Sequence, residues 1–132
     1  MVAVFSIKPH YASEILSGVK KVEYRRIKCS RPIKRMLIYS SSPISSIVGE
    51  VSVDGVLVGS ITTIWKSTKE YAGLSYRDYL KYYDGKDSAI AYVLKDPIEY
   101  SPSLSLSDFG ISHAPQSFCY LPSSNRILPD NT

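Results

Sequence analysis

The chain has 132 residues, which is room for one domain, and its 44% hydrophobic and 21% charged residues exclude extended disorder and collagen-like repeats. Its 16 Lys and Arg residues outnumber the 12 Asp and Glu residues, so the formal net charge is +4. No apolar run approaches the ~20 residues of a membrane helix, and the first residues lack a signal-peptide pattern, so we expect a cytoplasmic protein that does not enter a membrane.

The first half of the chain is predicted to consist mainly of strands. Runs of β-branched residues and strict alternation indicate strands, while an early proline and a later glycine are typical of the two ends of a short helix. In chain order we predict a strand at Val2–Ile7, a helix from Pro9 that ends near Gly18, a strand at Lys20–Arg26, a basic loop at Lys28–Lys34, a strand at Arg35–Tyr39, and a strand at Ser46–Val58 with a turn or bulge at Asp54-Gly55.

Two helices and further strands are predicted for the second half. Ser60 can cap the first helix, and Ser75 can cap the second with Asp78 at the capping-box position. A strand follows at Ser88–Leu94, and Pro97–Tyr100 begins another. Short strands around small helices, without regular alternation, predict an α+β fold built as a compact barrel. We expect one domain over residues 1–121 and a flexible tail over residues 122–132.

Residue types that hold metals or cofactors are few. Cys29 and Cys119 stand apart, without a Cys-x-x-Cys motif, and are expected to remain thiols. With only His10 and His113 beside them, a structural zinc site would need all four side chains to converge. The sequence has no glycine-rich phosphate loop and no metal-binding carboxylate cluster. We therefore expect no metal and no cofactor.

The positive charge is concentrated in one window. Residues 20–35 carry +7, with Glu23 as their single acid, and the rest of the chain carries −3. Such a patch indicates a polyanionic partner, and nucleic acid is the first choice. The eight basic residues of the window are Lys20, Lys21, Arg25, Arg26, Lys28, Arg31, Lys34 and Arg35.

Within this window, Glu23 has two interpretations. Strand alternation places Glu23 on the same face as Arg25. A carboxylate flanked by cations can accept hydrogen bonds from a base edge or act as a general base. The alternative is a surface strand on which Glu23 pairs with Arg25 or Lys21 for little energy.

Three other segments carry polar or aromatic groups of interest. Ser40-Ser41-Ser42 follows a strand and could hold a phosphate or a base, or form an ordinary serine turn. Trp65 could form a stacking wall for an unpaired base together with Tyr71, or anchor the core. Gln116 could read a base edge with its amide, or cap a loop.

Several motifs occur in a specific order. Ser6-Ile7-Lys8-Pro9 precedes Ala12 and Ile15-Leu16, and then comes the G-x-K-x-x-E-x-R segment from Gly18 to Arg25. Over about residues 4–121 the chain resembles the ASCH domain, a branch of the PUA-like superfamily. It further resembles a bacterial and archaeal subgroup described as predicted transcriptional regulators, through Ile38-Tyr39-Ser40-Ser41-Ser42-Pro43, Ile47-Val48-Gly49-Glu50, Ile64-Trp65, Ala72-Gly73 and Pro115-Gln116-Ser117-Phe118.

This resemblance implies a small PUA-like β-barrel of about five to six strands with two or three short helices, and a cleft beside the G-x-K-x-x-E-x-R strand. Relatives in the superfamily bind RNA or modified bases there. One ASCH-like enzyme deacetylates acetylated cytidine with a lysine, a threonine and a glutamate, and another relative is described as a ribonuclease. Lys20 matches that lysine, whereas Glu23 stands at the threonine position, so we do not carry the amidohydrolase activity over. For the glutamate, Glu70 and Asp78 are candidates.

The leading hypothesis is binding of nucleic acid, RNA before DNA, or of a nucleotide-like small molecule, with a regulatory role. The alternative is an enzyme acting on RNA or a modified nucleoside, in which Lys20 is nucleophile, base or electrostatic stabiliser and Glu23 accepts a proton. A third class is a protein-interaction module that uses the basic loop Lys28–Arg35. The predicted ligand-binding residues are Lys8, Lys20, Glu23, Arg25, Ser40, Ser41, Ser42, Trp65, Tyr71 and Gln116, and the predicted contacts to a nucleic-acid backbone come from Lys21, Arg26, Lys28, Arg31, Lys34 and Arg35.

Overall fold

The computed structural model describes residues 1–121, which form one six-stranded sheet that curls into a half-barrel, with three helices. The strands are β1 (Val2–Ile7), β2 (Val22–Arg25), β3 (Arg35–Ser40), β4 (Ser46–Ser60), β5 (Ser88–Leu104) and β6 (Phe118–Tyr120). The helices are α1 (Pro9–Leu16), α2 (Ile61–Thr68) and α3 (Tyr76–Tyr82), and two 3-10 turns lie at Lys69–Tyr71 and Leu106–Phe109. The predicted α+β fold, a small PUA-like β-barrel of five to six strands with two or three short helices, is confirmed, and the barrel is a half-barrel. The predicted tail, residues 122–132, lies outside the described residues.

The order of the strands in the sheet is β2-β5-β4-β3-β1-β6. β1 and β3 run parallel, because the chain passes through α1 and β2 between them, and the other paired strands are antiparallel. The two edges of the sheet are therefore β2 on one side and β6, beside β1, on the other. This topology matters for the site, since the curl of the sheet brings β2 towards the end of β1.

Two apolar clusters hold the helices on the sheet. Under α1, fully buried residues such as Phe5, Ile15 and Ile38 form one cluster. The second cluster is aromatic and lies under α2 and α3, around Tyr24 and Tyr79. Burial of such side chains contributes about 1.5–3 kcal/mol each before entropy is considered. None of the helices in the described part of the chain is long and apolar enough to cross a membrane.

The predicted helix ends are confirmed. Gly18 follows α1 with a φ of +86°, a conformation that glycine adopts without a steric cost. The Ser60 hydroxyl accepts a hydrogen bond from the Thr63 amide at 3.1 Å, and the Ser75 hydroxyl accepts one from the Asp78 amide at 3.1 Å.

Several strand boundaries differ from prediction. β2 begins at Val22 rather than at Lys20, and β4 continues to Ser60 with a register shift between Val53 and Gly55, the predicted bulge. The two strands predicted around Pro97 are one strand, β5. Proline is tolerated there because the second half of β5 pairs with β4 alone. Among the described residues, the other edge of this half has no partner strand, so the amide donor that proline lacks is not needed there.

Candidate functional site

A cleft of about 860 Å³ opens where the curled sheet fails to close. Its walls come from the end of β1 and the start of α1, from β2 and the residues next to it, from α3, and from the loop before β6. The residues that line it are Ser6, Ile7, Lys8, Tyr11, Lys20, Glu23, Tyr24, Arg25, Arg26, Ile27, Leu74, Asp78, Lys81, Tyr82, Gln116 and Ser117.

Arg25 connects the two sides of this gap. Its guanidinium donates a 3.4 Å hydrogen bond to the Ser6 carbonyl of β1 and a 2.6 Å hydrogen bond to the Ser117 hydroxyl, and it lies 5.1 Å from the centre of the Phe5 ring. β2 itself is paired with β5. The side chain of Arg25 therefore spans a gap that backbone hydrogen bonds leave open, and we call this gap the seam.

Glu23 lies in the cleft next to Arg25. The two side chains are two residues apart on β2 and form an ion pair of 3.0 Å between Arg25 Nη1 and Glu23 Oε2. The side chains are only 12% and 9% exposed, so water screens the pair weakly. The prediction that both side chains share one face is confirmed, and the pair is a mostly buried feature of the cleft rather than a surface contact.

Lys20 is buried at the inner end of the cleft. It is 3% exposed, its ammonium group donates a hydrogen bond to the Ala72 carbonyl, and it lies 5.2 Å from the Tyr11 ring and 5.1 Å from the Tyr24 ring. Burial lowers the pKa of Lys20, and the negative charges of Glu23 and Glu14 oppose that shift. Lys20 is thus a desolvated cation held by a carbonyl and two aromatic faces.

The path of the Lys20 side chain depends on Gly73. This glycine has a φ of +72°, and a Cβ atom there would lie 2.9 Å from Lys20 Cγ and from Glu14 Oε1. Any larger residue would displace the lysine stem as well as strain the backbone. The Ala72-Gly73 segment therefore determines where the ammonium group of Lys20 lies.

Aromatic side chains and α3 form the remaining wall. Burial, and then the charges of Asp78, Glu14 and Glu23, raise the pKa of Tyr11. Arg26 stacks on the Tyr82 ring at 4.2 Å, and its Nε donates a 2.8 Å hydrogen bond to the Tyr82 carbonyl. These contacts place flat apolar faces beside cations, an arrangement suited to unpaired bases and phosphates.

The loop before β6 is fixed at the edge of the cleft. The Ser6 hydroxyl donates to the Pro115 carbonyl at 2.5 Å, and the Ser6 amide donates to the Ser117 carbonyl at 2.9 Å. Gln116 lies between these two anchored residues and lines the cleft, exposed to solvent. Its amide is therefore held where it can donate and accept hydrogen bonds.

The structure brings together only part of the predicted site. Lys8, Lys20, Glu23, Arg25, Arg26 and Gln116 line the cleft. Lys21 lies just outside it, 4.9 Å from the Tyr71 ring. Tyr71 does not line the cleft either.

The serine run and Trp65 lie elsewhere. Ser40 is buried at the end of β3, and the Ser41 amide donates to the Ile7 carbonyl, so Ser40, Ser41 and Ser42 form a strand end and turn outside the cleft. Trp65 packs 4.8 Å from Tyr79 in the aromatic cluster, which agrees with its interpretation as a core residue.

The second half of the basic window leads away from the cleft. The amide of Lys34 donates to the Met1 carbonyl, at the end of β1 opposite to the cleft. Arg35 pairs with Glu50 at 3.0 Å, and Arg31 lies over the Tyr120 ring. With Lys28, these basic residues lie outside the cleft lining. The positive window is therefore two regions rather than one patch.

Several lining residues were missed from the sequence. The helices that contain Tyr11, Lys81 and Tyr82 have a residue spacing that does not indicate that they face β2. Ser6 and Ser117 lie 111 positions apart, so the sequence does not indicate that they meet. The short motif Pro115-Gln116-Ser117 did indicate the loop before β6. No group of three or more His, Cys, Asp or Glu side chains within residues 1–121 is placed to hold a metal ion.

A curled half-barrel with its cleft beside a G-x-K-x-x-E-x-R strand defines the PUA-like α+β class. The family model of the ASCH domain matches residues 5–103, and the chain belongs to the ASCH domain family. The crystal structure of ASCH from Zymomonas mobilis superimposes with a TM-score of 0.82 at 29% identity, covering 92% of this chain and 88% of that chain.

Two curated relatives extend this picture. An ASCH domain-containing ribonuclease of Zymomonas mobilis subsp. mobilis is 35% identical over 95 residues, which is 71% of this chain and 64% of the ribonuclease. The large ribosomal subunit protein uL22 of Ureaplasma parvum serovar 3 is 30% identical over 119 residues, 89% of this chain. The chain spans only 38% of the length of that uL22 protein.

Proposed function

We propose that this protein binds unpaired RNA, or a nucleotide derived from it, in the cleft at the seam. The observation that carries the proposal is the lining of the cleft. Five cations (Lys8, Lys20, Arg25, Arg26 and Lys81) stand against two carboxylates (Glu23 and Asp78), with the rings of Tyr11, Tyr24 and Tyr82 between them.

Each group has a distinct task in this proposal. Lys8 and Lys81 are exposed at opposite walls and supply salt-dependent attraction to phosphate groups. The partly exposed rings of Tyr11 and Tyr82 supply stacking surfaces, which contribute about 1–3 kcal/mol per base in single-strand binding. A basic groove with aromatic faces favours single strands over a duplex, whose bases are already stacked. None of the relatives named above is described as a transcriptional regulator, so the proposal is confined to binding.

The second candidate is cleavage of the bound RNA. Two observations favour it: the name of the 35% identical ribonuclease, and the desolvated Lys20 within the cleft. Lys20 would stabilise negative charge that develops on the scissile phosphate, and Glu23 would accept a proton. Labelled RNA incubated with the protein would yield shorter products, and Lys20→Met would abolish them. Intact RNA under conditions of saturating binding would exclude this candidate.

The binding proposal is tested by titrating labelled RNA with the protein at about 50 and 200 mM salt. We expect tighter binding to single-stranded RNA than to a duplex of the same sequence, and weaker binding at the higher salt. The Lys8→Ala/Lys81→Ala variant should lower affinity and reduce the slope of log affinity against log salt by about 1 to 2.

The matched control is Lys66→Ala/Lys86→Ala, which removes two exposed lysines that do not line the cleft. This variant should keep most of the affinity. Equal losses in the two double variants would show that net charge alone attracts RNA, and would overturn the placement of the site in the cleft.

A further inference from the structure

We infer that Glu23 makes the cleft selective for unpaired bases that carry an exocyclic amino group, so that adenine, cytosine and guanine are accepted and uracil is rejected. This inference rests on the proposed RNA-binding function and names the ligand chemistry that the same cleft would read. It is carried by the free oxygen of Glu23 and by the way in which Arg25 holds that carboxylate.

Glu23 presents one oxygen to the cleft. Its Oε2 atom accepts from Arg25 at 3.0 Å, whereas its Oε1 atom has no hydrogen-bond partner among residues 1–121. Within the same residues, the buried side-chain oxygen without a partner is Glu14 Oε1 alone, so Glu23 Oε1 retains access to solvent. The cleft therefore contains a reachable acceptor without a protein partner in the described part of the chain, on a side chain that is only 9% exposed.

The carboxylate is held in place before any ligand arrives. Arg25 is itself fixed by the Ser6 carbonyl, the Ser117 hydroxyl and the Phe5 ring. A ligand that bonds to Glu23 thus meets a group whose orientation is already determined, and little side-chain entropy is lost on binding.

Base chemistry then decides which ligands fit. An ionised carboxylate can only accept hydrogen bonds. Adenine and cytosine each offer an amino group, and guanine offers an amino group beside its ring N–H, so each can donate to Glu23 Oε1. Uracil offers a single N–H flanked on both sides by carbonyl oxygens, which repel an approaching carboxylate. A pocket that pairs with the amino group therefore disfavours uracil.

The other polar groups of the cleft do not make this distinction. Gln116 can donate and accept, so its amide suits any base edge. Asp78 lies at an exposed position on α3, where water competes for its hydrogen bonds. Glu23 is the carboxylate whose burial and fixed geometry can discriminate.

The test is equilibrium binding, by fluorescence anisotropy, of labelled oligoadenylate, oligocytidylate and oligouridylate of equal length. We expect the first two to bind about tenfold more tightly than oligouridylate, as a lost base-specific hydrogen bond requires. In Glu23→Gln the carboxamide oxygen can still accept from Arg25, and its amino group can donate to a uracil carbonyl. The ratio of affinities should therefore fall to about one.

Asp78→Asn is the matched control, because it removes the same charge from the same cleft. It should raise affinity for all three oligonucleotides alike and leave their ratio unchanged. Equal binding of the three by the unsubstituted protein would overturn the selectivity and leave the RNA-binding proposal standing. A ratio that changes equally in both variants would assign the selectivity to net charge and overturn the role of Glu23. Failure of every oligonucleotide to bind at low salt would instead remove the binding function itself.

Discussion

The continuous side of the sheet and the seam are held together in opposite ways. From β5 to β1 each strand is joined to the next by backbone hydrogen bonds, over apolar residues such as Ile38 and Val51 that are fully buried. Across the seam, the side chain of Arg25 reaches from β2 to β1. The difference shows that the two regions have different roles in this half-barrel. Apolar packing stabilises the continuous side, and polar groups lie where the sheet does not close.

Most of the buried polar groups at the seam have a partner. Arg25 donates to Glu23 Oε2 and to the Ser117 hydroxyl, Lys20 donates to the Ala72 carbonyl, and Tyr24 shares a 2.6 Å hydrogen bond with Thr68. Buried polar groups without partners would cost about 1–3 kcal/mol each. These partners therefore keep the cost of burying polar groups at the seam low.

The largest effect is expected on the continuous side. Ile38→Ala would leave a cavity beneath α1, since Ile38 is 0% exposed, and should lower the free energy of unfolding by about 2–5 kcal/mol. Urea denaturation measures this change. The control is Ile98→Ala on β5, where the side chain is 42% exposed, and its loss should be below about 1 kcal/mol. Similar losses for both would contradict the assignment of the core.

A smaller loss of stability, joined to a loss of binding, is expected at the seam. Arg25→Ala leaves the 9% exposed Glu23 side chain without its partner, and should cost about 2 kcal/mol in unfolding free energy and most of the RNA affinity. The control is Arg31→Ala, outside the cleft, which should change neither by much. If Arg25→Ala keeps full stability, the two edges of the sheet do not depend on this side chain.

The smallest effect is a pH dependence that belongs to Lys20. Burial lowers the pKa of Lys20 in the folded state. The folded chain therefore loses this proton at a lower pH than the unfolded chain does. Stability should therefore rise with pH, from the lowered pKa up to the unfolded value of 10.5. Lys20→Met should lack this rise, so the difference in unfolding free energy between the two proteins should change between neutral pH and pH about 10.

Ionisation of the buried tyrosines acts in the opposite direction but is shared by both proteins. Burial raises the pKa of Tyr79 to about 12, so its contribution is present below pH 10 and lost as the pH rises towards 12. Taking the difference between the unsubstituted protein and Lys20→Met removes this common term. A difference that stays constant with pH would contradict the desolvation of Lys20.

Local features of the fold were predictable from the sequence. The caps at Ser60 and Ser75, the glycine after α1 and the common face of Glu23 and Arg25 follow from rules that involve a few neighbouring residues. The joining of two predicted strands into β5 was not predictable, because β4 supplies the partner for the whole length. Pairing between strands depends on the tertiary structure, which local sequence patterns do not specify.

The site could be predicted only in part for the same reason. The motif strand supplied Lys20, Glu23 and Arg25, while the opposite wall depends on where α3 docks. That docking is set by contacts such as the Tyr83 hydroxyl, which donates to the Arg25 carbonyl at 2.9 Å. No spacing in the sequence indicates that a tyrosine after α3 will reach β2.

The span of Arg25 has a consequence for the width of the cleft. The distance between the two sheet edges at the cleft is set by the length of one side chain and by its contact with Ser117, and not by the rigid spacing of paired strands. A shorter or longer residue at this position would narrow or widen the aperture, while every backbone ladder stays intact. One substitution can therefore change the width of the cleft without changing the pairing of the strands.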